Sequence, residues 1–210
     1  DALGNTTTYA YDTKGNLLSL TFADGTTVAY TYDALGRQTS MTDPLGNVTK
    51  YKYDAMGNLV ETTLPDRITQ RATYTPNNKV ASAQDALRNQ TTYTYDANGN
   101  QLAVNDPEGN ITTSTYDAAG HLLTETNAAG GVTTYTYDSL GFPLTSTDAT
   151  GATQTYAYDV AGNLTERTLP TGAKIVVEYD QRGNAVKQIN ALGGETLIAY
   201  DLLGRVTEVI

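Results

Sequence analysis

The sequence predicts an all-β fold: tandem 21-residue β-hairpins joined into a long antiparallel ribbon that curls into a spiral shell or hollow tube. Three observations predict it. A Tyr recurs every 21 residues, ten times without an insertion, through a chain of 210 residues. In nine of the ten copies a Gly follows that Tyr by four positions, and a second Gly row falls halfway between. The segments separating the Gly are rich in Thr, Tyr and Val, which favour extended chain.

The repeat positions are Tyr11, Asp12 and Gly15, then Tyr32, Asp33 and Gly36, then Tyr53, Asp54 and Gly57. They resume at Tyr95, Asp96 and Gly99, Tyr116, Asp117 and Gly120, Tyr137, Asp138 and Gly141. Tyr158, Asp159 and Gly162, Tyr179, Asp180 and Gly183, and Tyr200, Asp201 and Gly204 complete the row. Between them lies a decayed copy, Tyr74-Thr75, with Asn78 in place of Gly. The second row runs through Gly4, Gly25, Gly46, Gly109, Gly130, Gly151, Gly172 and Gly193, with Arg67 and Arg88 filling its gaps. Residues 1–210 therefore read as a single array of ten repeats, a fragment or unit of a longer repeat protein or assembly. The array opens inside a turn, Asp1-Ala2-Leu3-Gly4, and neither end shows the atypical polar cap that a soluble repeat stack normally needs.

Residues 43–63 illustrate one copy. Asp43-Pro44-Leu45-Gly46 and Asp54-Ala55-Met56-Gly57 have Asp first and Gly fourth, which suits a type I turn, and Pro pre-sets φ at the second position. A Gly directly after such a turn also suits the left-handed residue of a bulged hairpin. Strands are expected between the turns, over 47–53 and 58–63. Side chains alternate along a strand, so Tyr51 and Tyr53 share a face, as do Tyr30/Tyr32, Tyr93/Tyr95, Tyr135/Tyr137 and Tyr156/Tyr158. No window carries a capped 3.6-residue apolar period, so little or no helix is expected. Both connections in each copy are tight, which makes neighbouring strands antiparallel.

Ten copies give about twenty strands, a sheet on the order of 95 Å across made of strands only about 20 Å long. Open sheets of that width do not stay flat, and a filled small barrel holds only about eight strands. A curled ribbon satisfies both limits. It also suits a chain in which Leu, Ile, Val, Met and Phe make up only about a fifth of the residues. The 16 Tyr can line a face where one end of the ring is packed and the other is wet.

Composition removes several functions. Without Cys there is no disulfide scaffold, thiol nucleophile or Cys-based metal site, and a single His leaves no imidazole metal site. No catalytic constellation, metal site or cofactor site is expected. A formal net charge of −10 argues against nucleic acid and anionic membranes as partners. No stretch of 18 apolar residues forms a membrane span, and no signal peptide is visible.

The pattern Tyr-x-Tyr-Asp-x-x-Gly-Asn/Arg-Leu, followed by Thr-Asp-Pro-x-Gly-Asn-x-Thr, resembles the YD repeats of Rhs (rearrangement hotspot) proteins. Related repeats occur in Tc toxin B and C components, bacterial wall-associated proteins and teneurins. The resemblance covers the whole chain. It implies a hairpin ribbon wound into a hollow shell of a secreted or cell-surface bacterial protein. It implies as partners the neighbouring repeats of the same or adjacent chains and an enclosed toxin cargo. The core segment that plugs such shells, with the Asp residues that free the toxin, is not found. Asp43-Pro44-Leu45-Gly46 and Asp106-Pro107-Glu108-Gly109 sit in phase with the repeat turns, so the protease role is not carried onto them. A period that never slips also admits a helical tube or filament.

The candidate side chains are weighed against that frame. The Asp row could bind calcium, but equivalent Asp lie two strands apart, about 9–10 Å, and turn-opening is the expected role. The Tyr rows could form a surface for glycans or choline, which makes a cell-surface adhesin the alternative function. Packing between hairpins is the expected role. His121 is expected to be a solvated substitution. Asn-x-Thr sequons begin at Asn5, Asn47, Asn89, Asn110 and Asn163 and follow from the turn pattern. Lys50, Lys52, Arg67, Arg71, Lys79 and Arg88 concentrate in residues 50–88, where the Gly rows also fail. That region is a docking patch, a bend, or a drifted repeat, and drift is expected.

Overall fold

The structure, a computed structural model, describes residues 5–210. The first turn, Asp1 to Gly4, lies outside the described residues. Twenty strands and no helix are present among them, as the 21-residue period predicts. The chain divides into two compact units, one holding the described residues to Tyr95 with Val104–Asn110, the other Asp96–Ala103 with Ile111–Ile210.

The first unit contains long strands Thr8–Tyr11, Thr27–Tyr32, Val48–Tyr53, Thr69–Tyr74 and Gln90–Tyr95. Short strands Leu17–Thr21, Gln38–Thr42, Leu59–Thr63 and Val80–Gln84 alternate with them. The second unit contains long strands Ile111–Tyr116, Val132–Tyr137, Thr153–Tyr158, Lys174–Tyr179 and Glu195–Tyr200. Its short strands are Leu122–Thr126, Pro143–Thr147, Leu164–Thr168, Ala185–Ile189 and Val206–Val209. The remaining strand, Gln101–Asn105, is divided between the units. Each strand begins one residue later than the sequence predicts, at Val48 and Leu59 in the copy above, because the preceding Asn belongs to the turn.

Two ladders alternate within each unit. Inside a repeat, four residue pairs form, for example Thr134↔Thr147, Tyr135↔Ser146, Thr136↔Thr145 and Tyr137↔Pro143, with a bulge between Thr136 and Tyr137. From one repeat to the next only three form, Thr145↔Thr155, Ser146↔Gln154 and Thr147↔Thr153. The bulge arises at the turn. Gly99 N donates to Asp96 O at 3.1 Å and Asp96 N to Asn100 O at 3.0 Å, which closes a type I turn followed by a left-handed residue. Gly99 has φ 88°, a region closed to most side chains.

No apolar side chain is fully buried among the described residues, and Ser82 alone falls into the buried class. Along Val132–Tyr137 the odd positions Thr133, Tyr135 and Tyr137 are half-buried, while Val132, Thr134 and Thr136 are exposed. On the exposed face, Thr hydroxyls bond across the strands, Thr115 to Thr124 and Thr136 to Thr145, both at 2.7 Å. Strands touch only their sequence neighbours within each unit. Stability therefore comes from one repeat gripping the next, as in other quasi-one-dimensional proteins.

Candidate functional site

The repeat rows converge on the turns that follow the Tyr strands, and the candidate site is the ladder they build. Each Asp serves its own turn twice. Asp54 Oδ1 accepts from Met56 N and Asn58 N, both at 2.9 Å, and Oδ2 accepts from Asn58 Nδ2 at 3.0 Å. Asp96 does the same with Asn98 and Asn100. These bonds stabilise the ionised carboxylate, so the Asn58 side chain, followed by its amide, holds the Asp54 carboxyl below its ordinary range. Arg37 and Arg205 fill the Asn role through Nε at 2.7 Å to Asp33 and Asp201. The carboxylates of these turns are thus engaged internally, and no group of three His, Asp or Glu side chains that could hold a metal ion occurs among the described residues.

The Tyr row links neighbouring repeats. The inter-repeat ladder stops after three pairs and leaves the first carbonyl of each short strand without a strand partner on that side. The Tyr hydroxyl 15 residues later supplies one. Tyr32 donates to Leu17 O, Tyr53 to Gln38 O, Tyr95 to Val80 O and Tyr137 to Leu122 O, each at 2.9 Å. Tyr74, Tyr116, Tyr179 and Tyr200 repeat the bond at 2.9–3.1 Å. Tyr158 is the exception and makes no such bond to Pro143. Tyr11 is 58% exposed.

Sequence reasoning missed the residue after the turn Gly. Besides bonding its own Asp, this residue lies over the Tyr ring and the Gly of the next repeat. The Arg37 guanidinium sits 4.8 Å from the Tyr53 ring centroid and donates to Asp54 O at 3.1 Å. The Asn100 amide lies 3.4 Å from the position a Cβ would take on Gly120. His121, expected to be solvated, instead bonds Asp117 at 2.8 Å through Nδ1 and stacks on Tyr137 at 4.9 Å. That stack is what a planar side chain gains at a position facing an aromatic ring. The His121 bond is also the main reason the Asp117 carboxyl is lowered. Phe142 keeps the stacking alone, 5.0 Å from Tyr158. The signal was present in the sequence, since this position is Asn in five repeats and Arg in two.

The basic region 50–88 keeps the repeat geometry. Arg67, Asn78 and Arg88, which replace Gly, have φ of 68°, 59° and 70°, and each still donates its amide to the residue three positions earlier. Lys52 and Arg71 both pair with Glu61, at 2.7 and 3.0 Å. The sequons Asn47, Asn89, Asn110 and Asn163 spend their amides on the Asp of their own turns.

The chain matches the RHS repeat family, described as RHS Repeat, over residues 1–27, 11–48, 32–69, 74–111, 116–153 and 139–174. No curated protein matches it. Among solved structures, a TcdB2-TccC3-Cdc42 complex and a TcdB2-TccC3 complex each match with a TM-score of 0.56, at 17% and 18% identity, over 97% of this chain. A Photorhabdus luminescens Tc holotoxin pore matches with a TM-score of 0.53 at 15% identity over 92% of this chain. The chain spans 14% of the length of each of those chains. At these identities the likeness concerns the fold.

Proposed function

The chain belongs to the RHS repeat family, and from that premise we propose that it forms part of the non-enzymatic wall of a hollow YD-repeat shell. The shell is that of a secreted or cell-surface bacterial protein with a toxin payload inside. The ten repeats act as one array whose immediate partners are further repeats of the same or adjacent chains. The observation that carries this reading is the link between neighbours: eight Tyr hydroxyls each reach a carbonyl of the preceding repeat. A ribbon bonded in this way needs no apolar core and leaves both faces accessible, one of them for a lumen. The same ribbon wound at constant pitch makes a tube or filament. Glycan adhesion is the weaker reading, because eight of the ten hydroxyls in the main Tyr row are already spent on backbone carbonyls.

Electron cryomicroscopy of the protein that contains this array tests the proposal. The expected result is a layer of strands around a lumen. A solid rod or a compact globule with no lumen refutes it.

A further inference from the structure

One turn of the ladder releases groups that the others use, and it does so beside a cleft. In the second unit a cavity of about 500 Å³ lies between consecutive turns, lined by Asp138, Leu140, Phe142, Tyr156 and Tyr158 among others. Residue 142 is Phe, where other repeats have Asn, Arg, Lys or His. Asp138 Oδ1 accepts from Leu140 N and Phe142 N, both at 2.9 Å, but a phenyl ring cannot donate to Oδ2, and no other described side chain does. Tyr158, on which Phe142 stacks, is also the row Tyr whose hydroxyl makes no bond to the preceding repeat. A carboxylate oxygen and a phenol hydroxyl are thus left over beside a stacked pair of rings.

The equivalent positions show what such a cleft accepts. At the turn of Asp12 a comparable cleft of about 460 Å³ is lined by Lys14, whose Nζ donates to Ala34 O of the next turn at 3.1 Å. Arg182, at the same repeat position, donates to Leu202 O at 3.1 Å. The chain fills this position with its own cation in two repeats. At Asp138 the position is Leu140, 79% exposed. No Lys or Arg occurs between Arg88 and Arg167 in the sequence, and Arg167, the cross-strand partner of Tyr156, spends its guanidinium on Gln154 Oε1.

We propose that the cleft at Asp138, Phe142, Tyr156 and Tyr158 binds an organic cation of the quaternary ammonium class, such as a choline group. An alkylated ammonium has no N–H to satisfy, so its methyl groups can pack against Phe142, Tyr156, Tyr158 and Leu140. The Asp138 carboxylate and the ring faces then supply the negative potential. A bare metal ion suits the cleft poorly, since it needs several oxygen ligands. The site lies beyond the structural role proposed above and does not depend on a lumen.

Titration of the intact chain with choline, followed by NMR of the aromatic side chains, tests the site. Saturable binding with Kd on the order of 1 mM is expected, with 3,3-dimethylbutanol, the neutral carbon isostere, at least about tenfold weaker. Phe142→Asn restores the residue found in other turns and returns an amide to Asp138, so it should fold and lose about tenfold in affinity. Asp138→Asn, which keeps an Oδ1 acceptor for the turn, should lose a similar factor. Absence of saturable binding, equal affinity for the neutral isostere, or full affinity in folded Phe142→Asn would each overturn the proposal.

Discussion

Replacing Gly141 by Ala, beside the same change at Gly151, separates the two jobs that a turn Gly does in this ladder. Both residues have positive φ, 88° and 85°, and both amides close their turns, on Asp138 O at 3.1 Å and Asp148 O at 2.9 Å. A Cβ on Gly151 meets nothing within 4 Å, so its cost is backbone alone. The left-handed region costs an L-residue about 1–2 kcal/mol. The narrower unfolded ensemble of Ala returns about 0.4–1 kcal/mol. Gly151→Ala should therefore destabilise by about 1 kcal/mol. A Cβ on Gly141 would lie 2.7 Å from His121 Nε2, inside van der Waals contact. The imidazole must then leave its stack on Tyr137, a contact of about 0.5–1.5 kcal/mol, or strain its rotamer by a similar amount. Gly141→Ala should cost about 2 kcal/mol. Thermal melts should show a Tm lower by about 2–4 °C for Gly151→Ala and by roughly twice that for Gly141→Ala. In a His121→Ala background the cost of Gly141→Ala should fall to about that of Gly151→Ala, as a double-mutant cycle reads directly. Equal losses at the two Gly would refute the close packing of His121 on the next turn.

Replacing Arg67 or Arg88 by Gly removes a bulky residue from φ near 70° and should stabilise by about 1 kcal/mol, with a smaller gain at Asn78, since Asn tolerates this region. Urea midpoints that fall instead would show that these side chains hold the turns. Tyr95→Phe removes the donor to Val80 O and should cost about 1 kcal/mol, while Tyr158→Phe, which loses no such bond, should stay within about 0.5 kcal/mol. Equal costs would contradict the carbonyl-capping role. The Asp12, Asp54, Asp96, Asp159 and Asp180 carboxyls are all lowered, chiefly by the Asn four residues on, so the folded state favours their ionised form. Their contribution is fully present above the unfolded value near about 4 and is lost as pH falls through the lower folded values. Melts at about 0.15 M salt should give a flat Tm above about pH 5 and a decline below about pH 4, and an unchanged Tm down to pH near 2 would sink the account.

The fold was legible because two turn signals and one strand pattern recur in strict phase. Asp54-Ala55-Met56-Gly57 names a turn through its chemistry, and Val48-Thr49-Lys50-Tyr51-Lys52-Tyr53 names a strand through its alternation. The inter-repeat contacts were not legible, for a geometric reason. Tyr95 and Val80 are 15 residues apart, and their strands pair only from Gln84↔Gln90 to Ser82↔Thr92, so the hydroxyl reaches the carbonyl beyond the end of the ladder, where no local pattern points to it. His121 was misread for a related reason. Its partner Asp117 is local, but Tyr137, on which it stacks, belongs to the next repeat. In residues 50–88, where a docking patch, a bend or a drifted repeat was open and drift was expected, Arg67, Asn78 and Arg88 adopt the turn conformation at a cost. Backbone bonds, Arg67 N to Leu64 O and Leu64 N to Ile68 O among them, hold that conformation whichever residue occupies it.

That tolerance identifies where such a ladder can acquire function without losing its fold. The turn Asp opens the turn through Oδ1 and the turn amides close it, so neither can change freely. The row Tyr caps a carbonyl that would otherwise be unpaired. The residue after the turn Gly carries two lighter duties, neutralising Oδ2 and covering the next Tyr ring, and either alone suffices. Asn16 and Arg205 bond their Asp, His121 and Arg37 do both, and Phe142 only covers the ring. Every substitution that drops the first duty leaves one carboxylate oxygen available in an otherwise unchanged turn. Where Lys14 or Arg182 stands two positions earlier, its cation reaches over to a carbonyl of the next turn. Where Leu140 stands there, no side chain of this chain supplies a cation. The repeat can therefore vary its surface chemistry at these two positions while the Tyr, Asp and Gly rows keep the hairpins in register.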